Sequence, residues 1–229
     1  MGVPAVDVWW VRLSEVRADV EGLLSSVERA RAAAYRRAED RVRFQLGVAI
    51  MRLVLARELG CTAGDVELDR TCPDCGKPHG KVRLVGPRSG WELSVTHSGD
   101  LVGVAVGTVA PLGLDVEEVR AVDVESMAPL VLTPDEYRPG MSPTDFLRYW
   151  TRKEAVVKST GDGLRQPLNL LSVTPPTHPA ALIAWPGREE TAVRLYDLPD
   201  RAGHLAALAV LTTTDVTITE HDAKKLLHS

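Results

Sequence analysis

Two short stretches constrain the fold of this 229-residue sequence more than any others. The first reads Gly-Leu-Asp-Val-Glu at 113–117 and alternates apolar and acidic residues as a strand does. Successive side chains of a strand point to opposite faces, so Asp115 and Glu117 share one face and Val116 occupies the other. The second reads Trp-Thr-Arg-Lys-Glu-Ala-Val-Val-Lys at 150–158 and has a helical pattern. We therefore predict a strand with a helix packed on it.

The helical pattern places Trp150, Glu154 and Lys158 on one face, because residues four apart are neighbours on a helix. If this face meets the strand, Asp115, Glu117 and Glu154 converge on one hard divalent cation, for which carboxylate oxygens are the natural ligands. Lys158 then lies one turn beyond the cation, where it can hold a phosphate. Either stretch alone indicates only a solvated strand face or a surface ion pair, so the prediction depends on their combination.

The two stretches resemble the signatures of the larger, Sfp-type 4′-phosphopantetheinyl transferases, which have a Gly-x-Asp-x-Glu strand and a Trp-x-x-Lys-Glu-x-x-x-Lys helix. Both signatures are present, as Gly113, Asp115, Glu117 and as Trp150, Lys153, Glu154, Lys158. A third family signature, Ser-or-Thr-His-Ser at a strand end, corresponds to Thr96-His97-Ser98. The resemblance covers residues 91 to 158 and keeps the family's order of motifs.

The resemblance implies an α+β fold made of two similar halves related by a pseudo-twofold axis, with coenzyme A in the cleft between them. We assign the halves to residues 1–109 and 110–229, with the metal site in the second. The implied reaction transfers the 4′-phosphopantetheine arm of coenzyme A to a serine of an apo acyl or peptidyl carrier protein. It depends on Mg²⁺, releases adenosine 3′,5′-bisphosphate and serves polyketide and nonribosomal peptide synthesis.

The resemblance also implies roles for particular residues. Asp115, Glu117 and Glu154 are expected to bind the metal, and Lys158 to neutralise phosphate charge. Glu154 is the candidate that accepts the serine proton, directly or through a water. A metal-bound carboxylate is a weak base, so both routes stay open.

The nucleotide end of coenzyme A is expected to meet residues of the N-terminal half. The family places a cation at Arg31, and it often has a lysine where this sequence has Glu28. Cys75-Gly76-Lys77-Pro78 resembles the family's Gly-Lys-Pro loop, so Lys77 is expected to face the nucleotide. Thr96 and His97 complete the predicted coenzyme A contacts. We expect Arg31, Lys77 and His97 to recognise the 3′-phosphate.

The composition restricts the class of protein. Hydrophobic residues make up 45% and charged residues 25% of the chain, which suffices for an ordinary core. The net charge of -4 gives no general attraction to nucleic acid. We find no signal peptide and no run of about 18 apolar residues that a membrane span needs. Three cysteines cannot all pair, which favours a reducing cytoplasm. We expect a monomer.

The local patterns predict the following elements. We expect a strand at 6–13 and a helical stretch from Ser25 or Ser26 to Gly60 that is broken near Asp40. Strands at 91–95 and 101–108 follow, and the second forms an antiparallel hairpin with the Gly-x-Asp-x-Glu strand. We predict helices over 124–131 and 143–160, short strands at 171–174, 181–184, 192–195 and 205–211, and a polar tail ending in a short helix.

Cys72, Cys75 and His79 have the spacing of part of a zinc knuckle. A structural zinc site normally has four ligands, and no fourth soft residue lies nearby in the sequence, so we favour a tight loop with reduced cysteines. Two functional alternatives also stay open. One is another Mg²⁺-dependent enzyme that cleaves a pyrophosphate, although a Walker-type loop is absent from the sequence. The other is a catalytically silent scaffold that binds coenzyme A or a carrier protein.

The carrier protein is expected to dock beside the metal ligands, on the segment 120–132. Arg120 could meet an acidic carrier surface, and Met127 is the apolar residue that we expect to be exposed. We expect Leu130 and Val131 to form the buried face of a helix.

Overall fold

The computed structural model describes residues 4–16, 19–86, 89–201 and 203–228, and it shows a mixed α+β protein. This confirms the predicted α+β class. The chain folds into two compact units. One contains Ala5–Val109 and Thr217–Ser229, and the other contains Met1–Pro4 and Ala110–Val216.

The first unit is built on one four-stranded sheet and a long buried helix. Its elements in chain order are β1 (Ala5–Arg12), α1 (Ser26–Ala33), α2 (Ala38–Leu59), β2 (Leu68–Asp69), β3 (Arg83–Leu84), β4 (Glu92–Ser98) and β5 (Leu101–Gly107). The sheet order is β11-β1-β5-β4, where β11 is the strand Thr217–Asp222 from the end of the chain. β1 runs parallel to β11 and antiparallel to β5.

The second unit contains the predicted strand and helix. Its elements are β6 (Leu112–Glu118), α3 (Val124–Val131), α4 (Pro143–Thr160), β7 (Ser172–Val173), β8 (Leu182–Ala184), β9 (Arg194–Leu198) and β10 (His204–Val210). β6, β10 and β9 form an antiparallel sheet, and α4 packs on all three strands. The last helix, α5 (Lys224–Leu227), follows β11.

The helix boundaries follow from local capping chemistry. The Ser25 Oγ accepts from the Glu28 N–H and the Glu28 carboxylate accepts from the Ser25 N–H, which satisfies two donors that the helix leaves unpaired. The break that we predicted near Asp40 lies at residues 34–37, between α1 and α2. α2 ends where Gly60 adopts a left-handed φ of 65°.

One prediction about strand pairing is wrong, and one strand was not predicted. We expected β5 and β6 to form a hairpin, but β5 pairs with β1 and β4, whereas β6 pairs with β10. The tail ends in a short helix as predicted, but β11 precedes that helix and pairs with β1. This pairing groups the tail with Ala5–Val109. In both cases the partner strand is remote in sequence, so short-range patterns carry no information about it.

Each unit has its own apolar cluster. In the first, α2 residues such as Leu46, Ile50 and Leu55 pack with Trp9 and Val11 of β1. In the second, the cluster joins Phe146, Val156 and other residues of α4 to residues of β9, β10 and α3. No helix among the described residues is long and apolar enough to span a membrane.

Candidate active site

The strand β6 and the helix α4 approach each other very closely at Gly113. A Cβ atom on Gly113 would lie 2.1 Å from the backbone oxygen of Ala155 and 2.4 Å from the backbone nitrogen of Ser159. Glycine is therefore required here for steric reasons. Because side chains alternate along β6, the same face also carries Asp115 and Glu117, and this face points toward α4.

The structure brings Asp115, Glu154 and Lys158 together. The Lys158 Nζ lies 2.5 Å from the Asp115 Oδ1, and the Asp115 residue is only 4% exposed. Burial is the main cause that raises the pKa of Glu154, and the Asp115 charge raises it further, whereas Lys158 acts to lower it. The electrostatic effect shows that the two carboxylates, which come from different elements, lie near each other.

Glu117 lies two residues beyond Asp115 on the same face of β6 and is partly exposed. It is paired in register with Leu205 of β10, as Asp115 is with Ala207. The structure brings Asp115 close enough to Glu154 to raise its pKa, whereas Glu117 shares only the strand face and does not form a converged group of three ligands with them among the described residues. Carboxylate oxygens fit a hard divalent cation like Mg²⁺, which prefers oxygen ligands and offsets their mutual repulsion.

Two other cations of α4 have structural partners. The Lys153 Nζ is fully buried, donates to the Val131 oxygen at 2.7 Å and pairs with the Glu136 carboxylate. Arg152 is also buried, and its guanidinium donates to Asp197 at 2.5 Å and to backbone oxygens. These contacts attach α4 to the segments around it. They are costly to break, because the loss of one partner leaves a buried charge uncompensated.

Trp150 has the packing role expected from a large aromatic residue at the start of the helical motif. Its ring contacts Phe146 edge-on, with the centroids 5.8 Å apart and the planes at 77°. It is partly buried against the apolar cluster of the second unit. The pair helps to place the first turns of α4, which lead to Glu154.

The predicted nucleotide-contacting residues lie in the first unit. The Arg31 guanidinium lies over the Phe44 ring, 4.9 Å from its centroid, and donates to the Pro78 oxygen. Arg31 of α1 is thus joined to the loop that carries Lys77, which is exposed. The structure therefore places Arg31 in contact with the residue that follows Lys77.

Thr96 and His97 lie at the end of β4, where the alternation of the strand buries Thr96 and exposes His97. The following turn contains Gly99 with a φ of 55°, a conformation that favours glycine. The Arg43 Nε donates to the Gly99 oxygen at 2.8 Å. Arg43 therefore holds this turn against α2.

The sequence patterns also did not identify Arg70 and Lys81 as partly buried cations of the first unit. The Arg70 guanidinium lies 5.8 Å from the centroid of the same Phe44 ring that Arg31 covers. Burial, with a smaller contribution from the Arg31 charge, lowers the pKa of Arg70 to about 10. Burial also lowers the pKa of Lys81, although Glu92 lies 3.6 Å away and opposes the effect. Neither residue falls on a periodic pattern, so no signal identified them.

Glu28 replaces the lysine that the resemblance would favour at this position, and the structure shows what it does instead. Its Oε2 accepts from the Ser25 N–H at 2.7 Å and lies 2.9 Å from the Arg52 Nη2. Glu28 is 7% exposed. The residue therefore closes the cap of α1 and neutralises a buried arginine of α2.

Comparisons with known proteins identify the family of the chain. Residues 111–209, which contain β6 and α4, match the model of the 4′-phosphopantetheinyl transferase superfamily. The chain is 34% identical over 218 residues to the 4′-phosphopantetheinyl transferase HetI of Nostoc sp., covering 90% of this chain and 87% of HetI. A putative 4′-phosphopantetheinyl transferase of Synechocystis sp. is 32% identical over 158 residues, covering 65% of this chain and 61% of that protein.

A shorter match is to the 4′-phosphopantetheinyl transferase psf-1 of Bacillus pumilus, 36% identical over 80 residues, or 32% of this chain and 34% of that protein. The HetI match extends through both units, well beyond the three short signatures. On the strength of that coverage and of the family model, the chain belongs to the 4′-phosphopantetheinyl transferase superfamily.

Proposed function

We propose that this protein transfers the 4′-phosphopantetheine arm of coenzyme A to a serine of an apo acyl or peptidyl carrier protein. The reaction depends on Mg²⁺ and releases adenosine 3′,5′-bisphosphate, as in Sfp-type enzymes that make holo carrier proteins. The observation that carries the proposal is the meeting of Asp115, Glu154 and Lys158 between β6 and α4. Family membership supplies the reaction that this group of charges is proposed to perform.

The bond changes are simple. The serine oxygen attacks the β-phosphorus of coenzyme A, the bond to the oxygen bridging the two phosphorus atoms breaks, and the serine proton leaves. Phosphoryl chemistry of this kind needs mainly positioning and charge neutralisation from the protein. Asp115, Glu117 and Glu154 are the proposed metal ligands, and bound Mg²⁺ would neutralise charge on the pyrophosphate oxygens.

Lys158 supplies a second positive charge in this scheme. Its ammonium already contacts Asp115 and is 31% exposed, so it can contact the metal-ligand region and an arriving phosphate. Glu154 is the proposed acceptor of the serine proton, directly or through a water. Because binding to Mg²⁺ weakens a carboxylate as a base, a water held by Glu154 is an equally good acceptor in this scheme.

The other proposals derive from the family resemblance. We propose that the protein consists of two similar halves related by a pseudo-twofold axis, with coenzyme A in the cleft between them. We also propose that it is a monomer and that it is located in the cytoplasm. A role in polyketide or nonribosomal peptide synthesis is part of the same proposal. The assignment of domains to residues 1–109 and 110–229 also stays a prediction.

The direct test is to incubate the protein with coenzyme A, Mg²⁺ and an apo carrier domain, and to measure the carrier by mass spectrometry. We expect the mass of one phosphopantetheine arm to be added, and the addition to stop with EDTA and resume with excess Mg²⁺. A carrier that binds without gaining mass would favour the silent scaffold. Cleavage of coenzyme A without carrier modification would favour a different pyrophosphate-cleaving enzyme.

Arg31 and Lys77 are predicted to recognise the 3′-phosphate. Hydrogen bonds to charged groups contribute about 1.5–3 kcal/mol each, so dephospho-coenzyme A should bind roughly tenfold to a hundredfold more weakly than coenzyme A. Arg31→Ala and Lys77→Ala should each reduce this ratio. The ratio of kcat/KM for the two substrates measures the effect.

Arg36→Ala is the matched control, because Arg36 is exposed and follows α1 closely in the chain. It should leave the ratio at the wild-type value. If both Arg31→Ala and Lys77→Ala keep full discrimination, the 3′-phosphate is bound by other residues.

In the predicted docking segment 120–132, the exposed apolar residue is Leu130 and not Met127 as we expected. Leu130 is 71% exposed, so the prediction that it is buried is wrong, whereas Val131 is buried as predicted. Met127 is only partly exposed and packs on the apolar cluster of the second unit. On α3, Ala128 and Val131 are three apart and face inward, which turns Leu130 outward.

We therefore expect Leu130→Glu combined with Arg120→Glu to raise the KM for the carrier protein about tenfold or more, because truncated interface anchors cost at least ~2 kcal/mol. The KM for coenzyme A should stay unchanged. Val27→Glu is the control, since Val27 is 64% exposed on α1 in the other unit. Unchanged carrier kinetics in the double variant would mean that the carrier docks on another surface.

A further inference from the structure

The loop between β2 and β3 brings Cys72, Cys75 and His79 together. One potential ligand atom from each residue lies within 4.8 Å of the other two. The Cys75 Sγ and the His79 Nε2 are 2.9 Å apart. On a tetrahedral zinc ion, with Zn–S about 2.3 Å and Zn–N about 2.0–2.1 Å, two ligand atoms are separated by roughly 3.3–3.8 Å. The three side chains therefore need only small adjustments to share one ion.

The backbone of this loop is arranged around the Cys72 residue. The Cys72 N–H donates to the Lys77 oxygen at 2.8 Å, and the Gly76 N–H donates to the Cys72 oxygen at 2.9 Å. Gly76 has a φ of 69°, which lets the chain reverse directly after the second cysteine. These bonds fix the loop that brings Cys72, Cys75 and His79 together.

We propose that Cys72, Cys75 and His79 bind one Zn²⁺ ion. Thiolate and imidazole donors favour this soft-to-borderline metal over Mg²⁺, which prefers oxygen, so the site is chemically separate from the proposed magnesium site. Cys75 and His79 are exposed, and the fourth position therefore faces solvent, where a water or the Asp74 carboxylate completes the coordination. The Asp74 Oδ2 lies 3.8 Å from the Cys72 Sγ.

The sequence argued against zinc because it offers no fourth soft ligand near these residues. The structure changes that conclusion, since it shows the three donors already converged, and three protein ligands with an open position also form a stable type of zinc site. All contacts in this argument lie within the first unit, so the proposed zinc site does not depend on the proposed enzymatic activity.

The zinc ion would also stiffen the loop that carries Lys77. Cys72 is hydrogen-bonded to the Lys77 oxygen, and Arg31 donates to the adjacent Pro78 oxygen. A metal that holds both ends of the segment 72–79 would limit the positions of Lys77 and of the Arg31 contact. This consequence, unlike metal binding itself, rests on the proposed function, in which both residues contact coenzyme A.

The test measures metal without any substrate. The protein is purified under reducing conditions, and its zinc content is measured by inductively coupled plasma mass spectrometry. Co²⁺ is then exchanged for the bound metal as a spectroscopic probe. We expect about one equivalent of zinc per chain, and a thiolate-to-cobalt charge-transfer band in the near ultraviolet. Cys72→Ser, Cys75→Ser and His79→Ala should each lose most of the metal, since each removes one of three protein ligands.

Cys61→Ser and His178→Ala are the controls, because they remove a cysteine and a histidine outside the cluster. Both should keep the metal and the cobalt band. Cys72 is buried, so its variant could unfold, but Cys75 and His79 are exposed and circular dichroism will show whether their variants fold. Reduced wild-type protein that binds neither zinc nor cobalt would overturn the proposal. So would zinc retained in folded Cys75→Ser and His79→Ala, or a Cys72–Cys75 disulfide without metal.

Discussion

Asp115→Asn is expected to reduce kcat/KM for carrier modification by more than about 100-fold while leaving the protein folded. Residues that merely support metal ligands already cost 10–100-fold when changed, and Asp115 is proposed as a direct ligand. The amide keeps the size of the side chain but loses the charge that faces Lys158 and Glu154. Steady-state kinetics over a range of Mg²⁺ concentrations should show both a lower kcat and a higher Mg²⁺ concentration at half-maximal rate.

Glu118→Gln is the matched control for this experiment. Glu118 is another carboxylate of β6 and is partly exposed, but the alternation of the strand places it on the opposite face from Asp115. It should retain activity within a few-fold of wild type. Activity of Asp115→Asn within about tenfold of wild type, in protein that circular dichroism shows to be folded, would exclude Asp115 as a metal ligand.

Gly113→Ala is the second change with a large expected effect, and it acts through packing. The new Cβ would lie 2.1 Å from the Ala155 oxygen and 2.8 Å from the Lys158 carbonyl carbon, so β6 and α4 must separate. Overpacking of a tight core typically costs 1–3 kcal/mol, and a clash with three backbone atoms of α4 belongs at the upper end, about 3 kcal/mol. Denaturant unfolding should show this loss, and activity should fall because Asp115 of β6 moves away from Glu154 and Lys158 of α4.

Gly22→Ala provides the comparison, because a Cβ on Gly22 would have no atom within 4 Å. Its free energy of unfolding should stay within about 0.5 kcal/mol of wild type, as for ordinary surface changes. If Gly113→Ala were as stable and as active as Gly22→Ala, the close contact between strand and helix would not be needed to form the site.

Much of the local structure could be predicted because its causes lie within a few residues of each other. Ser142 and Pro143 start α4, Gly161 ends it with a left-handed φ of 79°, and the Gly-x-Asp-x-Glu alternation indicates β6. Capping, turn chemistry and periodicity act over short distances along the chain, so the sequence alone predicts the elements that depend on them. The same local motifs also identify the family.

The strand partners were not predictable in this way. β6 pairs with β10 and β1 pairs with β11, and in both pairs the partner is far along the chain. An apolar alternating strand accepts many partners, and the choice depends on how the whole unit packs its faces. This is why the expected hairpin of β5 and β6 did not form.

The sequence by itself determined the family, the α+β class and the acidic and basic residues of the candidate site. Only the tertiary structure showed that this face of α4 does meet β6, that Lys158 pairs directly with Asp115, and that the other lysine of the motif, Lys153, is buried with Glu136. Helical periodicity points Lys153 and Lys158 in different directions, and the rotation of α4 against its sheet turns Lys158 toward β6. That rotation is fixed by the close packing at Gly113 and by the apolar cluster, which are long-range contacts.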